Sequence, residues 1–109
     1  MNAVNLSISL SSVSELWQPK TVARFNGNEV MVAKVLGSYP WHKHENTDDL
    51  FLVLKGSITI EMRDHSVRLR PGEMFVVPKG VEHRPVAAEE AHLILIEPLD
   101  TAKNGTTVV

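Results

Sequence analysis

The hydrophobic positions of this chain fall into short runs of β-branched and aliphatic residues, and turn-forming residues separate the runs. Closely spaced runs of this kind are typical of an all-β domain, because a strand needs few residues and a tight turn favours Gly, Asn or Pro. The predicted strands, in chain order, are residues 20–25, 29–36, 49–54, 57–63, 66–69, 74–77, 83–87 and 91–96.

Turn chemistry predicts how some of these strands are joined. The pair Asn26-Gly27 tolerates the positive φ angles of a two-residue turn, so the strands on either side of it are expected to form a hairpin. The pair Lys55-Gly56 predicts a second hairpin between strands 49–54 and 57–63.

Outside the strands, little regular structure is predicted. Residues 12–17 suggest one short helix, since Ser12 and Glu15 have the spacing of a capping box. Residues 100–109 are expected to form a loose tail. No repeat or linker divides the chain, so residues 1–109 are predicted to be a single domain.

Three of the predicted strands do not alternate between apolar and polar residues, namely those within 50–54, 74–77 and 93–96. A strand that is apolar on both sides is expected to be covered on both. One face would point into a barrel, and the other would meet a second layer or a second copy of the chain. We expect a homodimer, and the alternative is that two packed sheets and the N-terminal segment cover these faces.

The bulk composition excludes several classes of protein. Hydrophobic residues make up 43% and charged residues 22% of the chain, which is typical of a folded domain. A formal net charge of −2 provides no attraction for a nucleic-acid backbone. The apolar runs are far shorter than the roughly 20 residues that cross a bilayer, and the N-terminus lacks the basic region of a secretory signal. We therefore expect a cytoplasmic protein with no nucleic-acid or membrane partner.

Histidines provide the candidate chemistry. His42 and His44 are two residues apart, so on an extended strand their side chains leave the same face. Asp49 begins the next apolar strand, and His83 opens the strand that follows the turn at 78–80. With no cysteine in the chain, any metal must bind nitrogen and oxygen, and this set suits Zn, Mn, Fe, Ni or Co. A His-x-His pair alone is more often a solvated strand face.

The full spacing of these residues resembles the two motifs of the cupin superfamily. Residues 37–56 resemble the first motif, with Gly37, the His-x-His pair, a carboxylate and Gly56 in order. Residues 72–87 resemble the second motif, Gly-x5-Pro-x-Gly-x2-His-x3-Asn, and every spacing up to His83 is kept. The resemblance implies a double-stranded β-helix, or jelly-roll barrel, of antiparallel strands. It also implies a dimer and a metal ion in the barrel mouth, bound by the histidines.

The chain departs from the family pattern at three places. The gap between Gly37 and His42 is one residue shorter than usual, and Ala87 replaces the final Asn of the second motif. Asp49 occupies the position of the family's Glu and is one methylene shorter. Three roles are open to Asp49, namely direct coordination of the metal, bonding to it through water and orienting a ligand histidine. We expect an indirect role, since the shorter side chain would stop roughly 1.5 Å short of the ion.

Other candidates are weaker. Aromatic side chains that could line a ligand pocket are Tyr39, Trp41, Phe51 and Phe75, although the two phenylalanines are also natural core residues. His65 lies in a turn and His92 begins an apolar strand, so neither is expected to be a metal ligand.

Two functions are compatible with these residues. In the first, the chain is a small metalloenzyme that acts on a small organic molecule, and related small cupins include dioxygenases, isomerases, decarboxylases and lyases. In the second, it is a ligand-binding or sensor module with the same metal site. No nucleophile elbow or phosphate-binding loop is present, so any chemistry must come from the metal.

Overall fold

The structure, a computed structural model, describes residues 2–99 and 105–108. Almost all of the regular structure is β, as the sequence predicts. The elements are α1 (Leu6–Ser11), β1 (Lys20–Phe25), β2 (Asn28–Ser38), β3 (His42–Lys43), β4 (Asp49–Lys55), β5 (Ile58–Met62), β6 (Ser66–Leu69), β7 (Met74–Val77), β8 (His83–Pro98) and β9 (Thr106–Thr107). Across the described residues, no helix has both the length and the apolar character that crossing a bilayer requires.

Strand β8 organises the barrel, because it pairs antiparallel with β2 along most of its length and with three other strands in succession. Its C-terminal half pairs with β4, and its N-terminal half pairs with β5 and β3. The sequence predicts separate strands at 83–87 and 91–96, whereas the structure joins them into one strand that serves both layers. This arrangement is the jelly-roll barrel implied by the resemblance to cupins.

One of the two predicted hairpins is confirmed and the other is wrong. Strands β1 and β2 pair directly, and both Asn26 and Gly27 have positive φ. Strands β4 and β5 do not pair within the described residues, because β4 lies between β7 and β8. The turn at Gly56 instead carries the chain from one layer to the other. It lies close to β8, since a Cβ added to Gly56 would stand 3.2 Å from the Cα of Ala91.

The predicted helix is displaced towards the N-terminus. The helix spans Leu6–Ser11, and the Asn5 side chain accepts a hydrogen bond from the backbone N–H of Ile8 at 3.0 Å. Ser12, expected to begin the helix, instead follows its last residue. The earlier start places Leu10 against the sheet, so burial of an apolar side chain outweighs the capping-box spacing.

Two apolar clusters stabilise the barrel. The inner cluster fills the space between the layers and includes the fully buried Val53, Ile60 and Leu93. The outer cluster lies beneath α1, where Leu10 packs near Ile94 on the opposite side of the sheet. The N-terminal segment therefore covers part of the outer face of the strands that are apolar on both sides.

Part of the segment expected to be a loose tail pairs with the barrel. Strand β9 pairs with β3, with Thr107 opposite His42 and Thr106 opposite Lys43. A Cβ added to Gly105 would stand only 3.2 Å from Cε1 of His44, so this glycine allows the segment to pass close to the histidines. Residues 100–104 and 109 lie outside the described part of the chain.

Candidate metal centre

The barrel brings the four predicted ligands together at one point. His42 on β3 lies opposite His83 on β8, His44 follows β3, and Asp49 begins β4. All four side chains are buried, with residue exposures between 1% and 6%. One donor atom from each lies within 4.8 Å of the others, so the group can hold a metal ion.

Backbone carbonyl groups orient two of the imidazole rings. The Nδ1 atom of His42 lies 2.9 Å from the carbonyl oxygen of Pro40, and Nδ1 of His83 lies 2.9 Å from that of Val81. A carbonyl oxygen only accepts, so each Nδ1 carries the proton and donates it. Each Nε2 atom is then left with a lone pair, which is the form that binds a metal.

Asp49 reaches the imidazoles despite its short side chain. Its Oδ2 atom lies 3.4 Å from Nε2 of both His44 and His83. The reason is the register of β4, in which Asp49, Phe51 and Val53 all point into the barrel. The carboxylate is therefore close enough to share an ion with the histidines.

Burial and mutual contact set the charges of the cluster. Burial lowers the pKa of His42 from 6.5 to about 4, so this ring is neutral at physiological pH. Contact with the Asp49 carboxylate raises the pKa of His44 against the effect of burial. Burial also opposes ionisation of Asp49, but His44 and His83 together lower its pKa, so the carboxylate is ionised. A neutral imidazole and an ionised carboxylate are the states that bind metal.

Two polar atoms of this cluster are left without hydrogen-bond partners in the described residues. They are Nε2 of His44 and Oδ1 of Asp49, and both are buried. Buried polar atoms without partners are rare in folded proteins because each costs roughly 1–3 kcal/mol. A cation bound between these atoms would satisfy both, so the donor set fits a metal ion.

Glu97 belongs to this region, although the sequence analysis did not single it out. The residue is only 4% exposed, and its Oε2 atom lies 3.9 Å from Nδ1 of His44. The available signal was the alternation of β8, since Leu93, Leu95 and Glu97 share one side of the strand. The carboxylate thus faces the barrel interior behind His44.

The four candidate pocket aromatics separate into two pairs. Tyr39 and Phe51 line a cavity next to His42 and Asp49. Trp41 and Phe75 are not among its lining residues.

Each residue of the second pair packs elsewhere. Trp41 lies beneath the guanidinium group of Arg63, whose central carbon is 3.9 Å from the ring centroid. Phe75 packs against the inner cluster of the core. Trp17, which was not among the aromatic residues predicted to line a pocket, also lines the cavity. Its ring centroid lies 5.0 Å from that of Tyr39, and its Nε1–H donates to the carbonyl oxygen of Leu36.

The two remaining histidines lie outside the cluster. His65 pairs with Asp64 at 2.8 Å on the surface, and His92 pairs with Glu90 at 3.0 Å. Neither belongs to the group formed by His42, His44, Asp49 and His83, whose donor atoms converge.

Comparisons with known proteins agree with this architecture. A family model for the cupin domain matches residues 29–97. The chain is 32% identical over 81 residues to uncharacterized protein YdbB of Bacillus subtilis (strain 168), covering 73% of this chain and 72% of that protein. A cupin-2 domain containing protein from Shewanella frigidimarina NCIMB 400 is 40% identical, with a TM-score of 0.85 over 87% of this chain and 93% of its own. Protein NMB1881 from Neisseria meningitidis is 37% identical, with a TM-score of 0.81, and the match covers 89% of this chain and 99% of that protein.

Proposed function

Because the chain belongs to the cupin family, we propose that its barrel binds one divalent metal ion and uses it to bind a small organic molecule. The ligands are Nε2 atoms of His42, His44 and His83 together with the carboxylate of Asp49. The observation that carries the proposal is the convergence of four donor atoms within 4.8 Å on buried side chains. Four buried groups of this chemistry would be costly to gather without an ion between them.

The donor set limits the metal and the chemistry it supplies. Three imidazole nitrogens and one carboxylate suit Zn, Mn, Fe, Ni or Co, and disfavour Ca and Mg, which prefer oxygen ligands. When bound, such an ion supplies a Lewis acid for an oxygen atom of the organic molecule. The cavity lined by Tyr39, Phe51, His42 and Asp49 gives that molecule access to the ion.

Metal content tests the proposal directly. Protein purified without chelator should carry about one divalent ion per chain, because buried, oriented imidazoles form a preorganised site. The double variant His42→Ala/His44→Ala should lose the ion, since two of the ligands are removed. Elemental analysis by mass spectrometry measures both proteins.

The matched control is His65→Ala/His92→Ala, which removes two histidines outside the cluster. This variant should retain the metal content of the wild type. If the His42→Ala/His44→Ala variant retains as much metal as the control, the proposed site is wrong.

A further inference from the structure

A cavity lined in part by His42, Asp49 and Glu97 lies beside the candidate metal centre. Building on the function proposed above, we propose that it takes a small, neutral molecule with an apolar body and a hydroxyl group, and that it rejects carboxylates and phosphates. Glu97 is the residue that enforces this selection.

The residues that line the cavity determine which kind of ligand it favours. The cavity has a volume of about 50 Å³, so only a small ligand can enter it. Most of the lining is apolar or aromatic, including Trp17, Phe51, Pro85, Leu93 and Leu95. A compact apolar or aromatic body therefore gains the most from leaving water for this cavity.

The polar groups at the cavity are acidic or neutral. Tyr39, His42, Asp49 and Glu97 line it, and no Lys or Arg occurs among its lining residues in the described chain. Burial and the nearby Glu97 charge raise the pKa of Tyr39, so its hydroxyl stays protonated. The cavity thus offers no cationic side chain to an anionic ligand.

Two arginines that flank Trp41 make contacts outside the cavity lining. The guanidinium groups of Arg63 and Arg84 both lie over the ring of Trp41, which is not among the lining residues. Arg63 also pairs with Glu82 at 2.9 Å, and Arg84 pairs with Glu61 at 2.6 Å. These contacts hold both positive charges outside the cavity.

Charge balance then decides the ligand. A divalent ion with neutral imidazoles is compensated by the two carboxylates, Asp49 and Glu97, so the loaded site has no net charge. A carboxylate or phosphate ligand would give this neutral site a net negative charge, and no Lys or Arg among the lining residues would offset it. A hydroxyl group keeps the site neutral and can donate its hydrogen to a carboxylate oxygen, which only accepts.

Matched fluorinated probes test this inference. We would titrate the zinc-loaded protein with 4-fluorobenzyl alcohol and with 4-fluorobenzoate, which have the same ring and differ in charge, and follow binding by ¹⁹F NMR. The wild type should bind the alcohol at least about tenfold more tightly than the carboxylate, because like charges inside a binding site are strongly disfavoured. Glu97→Gln should reduce this ratio at least about threefold, mainly by tightening the binding of the carboxylate.

The control variant is Glu90→Gln, which makes the same change at an exposed position of β8. It should leave the ratio unchanged. Equal or tighter binding of the carboxylate by the wild type, binding of neither probe, or an unchanged ratio in Glu97→Gln would overturn the inference.

Zinc content and the metal-free protein separate this inference from the proposed function. If the protein binds none of Zn, Mn, Fe, Ni and Co, the proposed function fails, but the metal-free cavity still contains both carboxylates and should still prefer the alcohol. If zinc is bound and the preference is absent, the charge selection alone is wrong.

Discussion

At the scale of single residues, the site depends on side chains whose chemistry is altered by burial. His42 and His83 are fixed by carbonyl oxygens of residues two positions earlier in the chain, so a local turn determines which nitrogen faces the barrel interior. Asp49 is fixed by the register of its strand. These constraints prepare the donor atoms before any ion arrives, and preorganisation of this kind favours binding.

Asp49 provides the first residue-scale prediction. Since its Oδ2 lies 3.4 Å from two imidazole nitrogens, we propose that it binds the metal directly, in contrast to the indirect role expected from its length. Asp49→Ala should then weaken metal binding about as strongly as His44→Ala does, measured by competition with a chromogenic chelator. If Asp49→Ala weakens metal binding only by roughly 10 to 100-fold and His44→Ala weakens it far more, Asp49 acts on the metal indirectly.

His42 provides a prediction about pH. Its pKa is about 4 in the folded protein and 6.5 when the ring is exposed to water, as in the unfolded chain. At pH values between 4 and 6.5 the unfolded chain therefore binds a proton at His42 that the folded protein does not bind. The free energy of unfolding of the metal-free protein should therefore fall as the pH falls through this window, with His42 contributing up to about 1.4 kcal/mol per pH unit.

Urea unfolding at several pH values between 4 and 6.5 measures this slope. His42→Gln should flatten it, whereas His65→Gln, at an exposed position, should not. An identical slope in His42→Gln and the wild type would contradict the assignment.

At the scale of elements, the barrel depends on where strands cross between its layers. Gly56 has a φ of +76°, and a Cβ there would stand 3.0 Å from the carbonyl oxygen of Glu90. Gly27 has the same φ of +76°, but nothing lies within 4 Å of its Cβ position. Comparing alanine variants of the two glycines therefore distinguishes the cost of backbone strain from the cost of a steric clash.

Gly27→Ala should cost about 1–2 kcal/mol of stability, the penalty for a side chain in the left-handed region. Gly56→Ala should cost a further ~1–3 kcal/mol, because the added methyl group must displace β8. Chemical unfolding of both variants measures the difference. Equal costs would mean that the turn at Gly56 is not tightly packed against β8.

At the scale of the whole molecule, the outer face of the sheet is only partly covered by α1. Met74 and Val76 on β7 are 54% and 39% exposed, and they lie opposite the half-buried Leu52 and Leu50 of β4. Apolar side chains on neighbouring strands form a continuous surface of the kind that mediates association. We propose that a second copy of the chain covers this surface, as the two-sided strands led us to expect.

Light scattering at micromolar concentration should accordingly give the mass of two chains. Met74→Lys/Val76→Lys should give a monomer, since charged side chains disfavour association of strand faces. Ser66→Lys, at an exposed position of β6, should remain dimeric. A wild-type monomer would mean that α1 alone suffices to cover the two-sided strands.

The sequence by itself determined the local features of this protein. Strand positions, the hairpin at Asn26-Gly27 and the spacing of His42, His44 and His83 are all visible in the chain, because side-chain alternation and turn preferences act over a few residues. The motif spacing added the barrel type, since it resembles a family whose fold is shared.

Only the tertiary structure decided how distant segments meet. Whether the strands around Gly56 pair with each other depends on competition from β7 and β8, which lie far along the chain. The reach of Asp49 depends on strand register, and the importance of Glu97 depends on which side of β8 faces the interior. Pairing and burial are collective properties of the packed barrel, so no local pattern in the sequence could determine them.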